Sequence, residues 1–127
     1  MVHGATSPGE FWLGPVQNYT NGQAFITAYQ KAFGTAPAVR AAFTCDAMNA
    51  MLNALAVAAR SAGKTPTRAQ VDVALNSVNI STSRGVTGPI SFRATGERRS
   101  SPMFIVEIDS RTLQPKVISG RRHTTSK

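Results

Sequence analysis

The chain has 127 residues, 42% of them hydrophobic and 16% charged, an ordinary globular composition that suits one domain with a real core and excludes disorder throughout. Fourteen Lys and Arg stand against six Asp and Glu, a formal charge of +8, so an acidic partner has to be weighed. A single cysteine, Cys45, excludes an intramolecular disulfide and a multi-cysteine metal site, and no unbroken apolar run approaches the roughly 20 residues of a membrane span.

Met1-Val2-His3-Gly4 begins with neither a charged nor an apolar leader-like segment, so the sequence as written predicts a soluble product that is not exported. Gly4, Pro8, Gly9, Gly14 and Pro15 make residues 2–17 an extended and looped opening rather than a helix. A first helix is predicted over 22–33, with Phe25, Ala28, Tyr29, Ala32 and Phe33 in an apolar stripe. Gly34 suits the left-handed position after its end, and Pro37 prevents continuation.

The second helix, over 39–62, has apolar residues on more than one face, from Val39, Ala42 and Phe43 through Met48, Met51, Leu52 and Leu55 to Ala59, and should be largely buried. Asn49 and Asn53 lie four apart on one side, and Gly63 supplies the stop. Thr67-Arg68-Ala69-Gln70 reads as a capping box opening a third helix of about ten residues, with Val71, Ala74, Leu75 and Val78 inward.

From Ser81 the period changes to two. Strands are predicted over 86–92, 103–108 and 116–118, with Met103, Ile105 and Glu107 on one face of the middle one and Phe104, Val106 and Ile108 on the other. Asp109-Ser110-Arg111-Thr112 is the turn between the last two, and 93–102 is a polar loop.

Little catalytic chemistry is legible. His3 and His123 lie near the termini, no Gly-x-Ser-x-Gly elbow occurs, and the carboxylates form no pair, so an enzyme is not expected. Gly63-Lys64-Thr65 fails as a phosphate loop because Ala58 stands where the first glycine is needed and the tripeptide closes a helix instead of opening one. Eight of the basic residues fall in 93–127, yet no helix-turn-helix, zinc or base-stacking signature accompanies them, and nucleic acid is not the expected partner. Cys45, among apolar residues early in the second helix, reads as a small buried hydrophobe. Asp46 beside it suits an N-terminal anchor that accepts from backbone amides. Gly88 and Pro89 mark a bend at Thr87.

Three motifs in order carry a resemblance: Phe25-x-x-x-Tyr29-x-x-x-Phe33-Gly34-x-x-Pro37, then Cys45-Asp46-Ala47 early in a long helix, then Gly85-Val86-Thr87-Gly88-Pro89-Ile90-Ser91-Phe92. Together they resemble the closing part of the type I periplasmic solute-binding proteins, the extracellular ligand-binding receptors that feed branched-chain amino acid ABC transporters. Cys45 stands where that family usually has Tyr, and Arg93 where an Asp begins an Asp-x-x-Gly turn, although Gly96 is retained.

The resemblance implies an α/β fragment of a type I periplasmic-binding-protein fold, three helices followed by two or three strands. It implies a C-terminal portion of the ligand-binding domain over 1–120, with a disordered basic tail over 121–127. It further implies capture of a small solute, an amino acid or similar compact polar molecule, in an interlobe cleft, with delivery to an ABC permease and an extracytoplasmic setting. Neither a metal nor a cofactor is implied. The helix start facing the cleft nominates Ala42, Cys45 and Asp46 as ligand-binding residues, with Arg40 nearby, and Thr87 and Gly88 as a hinge. A sensory receptor of the same fold satisfies the same motifs. A piece of such a receptor is expected to bind solute weakly or not at all, and either to self-associate through uncovered apolar surface or to rearrange into a compact fold. The alternative reading is a stand-alone α/β interaction module whose basic surface binds an acidic partner such as nucleic acid.

Overall fold

A computed structural model describes residues 16–38, 40–113 and 115–124. The looped opening over 2–15 therefore lies outside the described residues, as does Val39; a short 3-10 helix, Val16–Asn18, comes first. Three α-helices follow, α1 (Gly22–Phe33), α2 (Ala41–Ala62) and α3 (Arg68–Leu75). Four strands complete the α/β chain: β1 (Asn79–Ile80), β2 (Ile90–Ser91), β3 (Ser100–Ile108) and β4 (Pro115–Thr124).

The helix ends fall where local chemistry puts them. Gly34 (φ 69°) and Gly63 (φ 62°) take the left-handed conformation, and their amides donate to Gln30 and Ala59. The Thr67 hydroxyl accepts the Gln70 amide at 3.3 Å while Gln70 Oε1 accepts the Thr67 amide at 2.8 Å, so the capping box is complete.

α2 is less covered than its composition predicts. Its buried stripe is Ala42, Asp46, Ala50, Ala54 and Ala58, one residue every four, whereas Met48 and Leu52 are 57% and 54% exposed. Small side chains let α3 and the two-residue strands approach closely, and the bulkier face is left about half exposed. The main core is Ala50, Ala54, Ala58, Ala74, Val78, Ile80 and Ile90. A second cluster, Val16, Ala42 and Val86 with Phe25, Ile26 and Cys45 against it, sits at the helix start. By length and composition α2 does reach what a membrane crossing requires, which a count of unbroken apolar residues misses. In this fold its alanine stripe packs on protein.

The strand predicted over 86–92 is only Ile90–Ser91, paired antiparallel with Asn79–Ile80. Residues 81–89 form a loop instead, because the Val86 and Thr87 amides are taken by a side chain, Gly88 has φ +106° and Pro89 has no amide. Arg93 to Gly96 then turn tightly, closed by the Gly96 amide on the Arg93 carbonyl at 2.9 Å, so the turn survives the loss of an initial Asp.

β3 and β4 are longer than predicted and pair antiparallel from Ser100↔Thr124 to Ile108↔Pro115, with an irregularity between Ile105 and Val106. Residues 121–124, expected in a tail, are therefore strand; 125–127 lie outside the described residues. Ladder hydrogen bonds reward Arg121 to Thr124 for extending the hairpin, which a short apolar pattern in the sequence does not reveal. At the turn, Asp109 Oδ1 accepts the Thr112 and Arg111 amides, which hold its carboxyl below the usual carboxylate range. The hairpin is seated by Phe104, edge-on to Tyr19 at 5.3 Å, and Tyr19 meets Phe43 of α2 in the same way.

Candidate functional site

The densest polar constellation among the described residues surrounds the loop Gly85-Val86-Thr87-Gly88. Asp46 lies in the second turn of α2 and is 4% exposed. Its Oδ1 accepts the Val86 amide at 2.7 Å; its Oδ2 accepts the Thr87 amide at 2.8 Å and the Thr87 hydroxyl at 2.6 Å. Short bonds to an ionised acceptor are the strong kind, and three of them offset the cost of burying a carboxylate.

The Thr87 oxygen in turn accepts Arg98 Nη1 at 2.8 Å, and Arg98 Nη2 and Nε donate to the Pro89 carbonyl at 2.8 and 3.2 Å. Burial pushes the Arg98 guanidinium down from its ordinary value, and the charge of Asp46 offsets part of that shift. A third element holds the loop from the other side. Asn21, at the start of α1, donates Nδ2 to the Thr82 and Gly85 carbonyls, each at 2.7 Å, and its own amide donates to Val86.

Glycine is needed at Gly85 for space: a Cβ there would lie 2.0 Å from the Gly88 carbonyl oxygen. At Gly88 the need is conformational, since φ is +106°.

The five residues nominated from sequence are brought together. Ala42 is 0% exposed, packed with Val16 and Val86. Cys45 is half-buried against the second cluster, not buried within it as its apolar neighbours in the sequence predict; burial and then the Asp46 charge push its thiol up, while a hydrogen bond from Asn49 pulls it down. Asp46 and Thr87 bond directly, and Gly88 follows. Asp46 does accept backbone amides, but they belong to a loop 40 residues away, not to its own helix. Arg40 is exposed at the helix start, with no side-chain hydrogen bond to this constellation.

Arg98 and Asn21 were not nominated. Each is a single polar residue in a polar stretch, and only the fold shows that it reaches the loop. Two helical turns from Cys45 along α2, Asn49, Leu52, Asn53 and Ala56 meet Ile80 and Arg84 around an open groove of about 370 Å³. No cluster of three or more His, Cys, Asp or Glu that could hold a metal occurs among the described residues.

A family profile described as periplasmic binding protein matches residues 3–112. Comparison with curated proteins and with solved structures gives no match.

Proposed function

The chain belongs to the periplasmic binding protein family, and on that premise we propose that it serves the substrate-binding component of an ABC transporter for branched-chain or related amino acids. The family is one of solute-binding proteins, generally non-enzymatic and typically extracytoplasmic. The observation that carries the reading is the match over residues 3–112, which includes the whole Asp46–Thr87 constellation. On this reading the start of α2, with Ala42, Cys45 and Asp46, borders the solute cleft, and Thr87 and Gly88 lie at the crossover between lobes.

The geometry supports a division of labour among these residues. Cys45 offers accessible surface, Ala42 shapes the floor from beneath, and Asp46 fixes the loop that carries the hinge. Binding of this kind buries the solute and pairs its charged ends with fixed groups; no bond is made or broken.

Because the two Asp46 oxygens are already engaged, this end of α2 has few polar contacts to spare, and the chain alone should bind amino acids more weakly than micromolar. Titration of the labelled 127-residue protein with leucine, isoleucine and valine, followed by NMR, should give saturable shifts around Ala42, Cys45 and Thr87. Absence of saturable shifts there with any amino acid would overturn the assignment, and micromolar affinity would overturn the weak-binding expectation.

A further inference from the structure

The face of α2 that presents Cys45 continues through Asn49, Leu52, Asn53 and Ala56, and with Ile80 of β1 and Arg84 of the following loop it borders a groove, open to solvent, of about 370 Å³. That volume falls in the range of small-molecule pockets, about 300–1,000 Å³. Its polar groups have little else to bond. The side chains of Asn53 and Arg84 make no hydrogen bond or ion pair among the described residues, and Asn49 makes a long one, 3.8 Å to the Cys45 sulfur. Asp46, by contrast, is fully engaged elsewhere.

We propose that this groove is a binding site for a compact monocarboxylate that carries no ammonium group. A guanidinium matches a carboxylate with two parallel N–H donors, and the two carboxamides can donate to the remaining lone pairs. Leu52, Ala56 and Ile80 form the apolar part of the lining, against which a short hydrocarbon body fits. The lining holds one cation and no carboxylate. A zwitterion brings no net charge to that guanidinium and its ammonium meets no carboxylate in the lining, so it gains less there than a simple carboxylate anion does. A phosphate dianion would bring two charges to one guanidinium and leave the apolar lining unused. The site stands on its own lining and does not depend on the receptor reading: an amino acid held at the start of α2 and a carboxylate held at Arg84 are separate events with separate reporters.

The test uses a matched set, isovalerate, valine and isovaleramide, titrated into the labelled full chain at constant ionic strength, with sulfate as a control. Isovalerate should shift the Asn49 and Asn53 side-chain amides and the Arg84 Nε–H saturably, at least tenfold more tightly than valine, and isovaleramide should not saturate. Arg84→Gln, at an exposed position, should weaken isovalerate at least tenfold. Asn53→Leu, which keeps the guanidinium, should weaken it severalfold and decides the matter if Arg84→Gln perturbs the whole spectrum. Equal binding of valine and isovalerate would overturn the site. So would insensitivity to both substitutions, or the same shifts with sulfate, which would show only counterion attraction to a chain of charge +8.

Discussion

Removing the Asp46 carboxylate would leave three donors, the amides of Val86 and Thr87 and the Thr87 hydroxyl, with no acceptor inside the fold. Each buried orphan costs about 1–3 kcal/mol, so Asp46→Ala should destabilise by about 3–5 kcal/mol in urea unfolding. Thr87→Val deletes one donor to Asp46 and the acceptor of Arg98, and about 1–3 kcal/mol is expected. A loss below about 1 kcal/mol for Asp46→Ala would show that the loop does not need its anchor. The sequence made Asp46 legible as a carboxylate that accepts amides, but not whose amides. Donor and acceptor lie 40 positions apart, and no local pattern links them.

Among the elements, local chemistry decided the helix ends and left the strands open. Gly34 and the Thr67–Gln70 pair announce boundaries from within four residues, and α1 occupies the span its stripe and stop predict. Thr67→Ala should cost roughly 1 kcal/mol, read as a fall in the urea midpoint with an unchanged slope; no change in midpoint would mean that α3 is held by packing alone. The alternation of Val86, Ile90 and Phe92 mimics a strand because apolar residues spaced by two or four suit a loop folded over α2 as well as a sheet face. The long hairpin was underestimated for a related reason. Its last residues are polar, and they are extended in pairing with β3.

On the scale of the whole molecule, the apolar surface is unevenly covered. Met51 and Leu55 line a groove with Leu75 and Val71, yet both remain about half exposed, as do Met103 and Ile105 on the hairpin. Patches of this kind favour association, and the charge of +8 opposes it. Sedimentation velocity should show concentration-dependent self-association that strengthens with salt, and Met51→Glu should reduce it. A single monomer boundary at all concentrations and salts would overturn the expectation. Composition suggested how apolar α2 is, but not which face is spared, since that depends on where α3 and the loop settle.

The loop gathered by Asn21, Asp46 and Arg98 has a kinetic meaning as well. Its tethers span 61–64, 40–41 and 9–11 positions along the chain, so two of the three close only after large stretches have come together. Closing such distances costs chain entropy before any contact repays it. The helices can form early from their own caps, whereas the Val86 and Thr87 amides find their acceptor only when the assembly is nearly complete. Those two protons are thus clocks for the last stage of folding, and their exchange with solvent should follow the opening of the entire core, not the fraying of a loop.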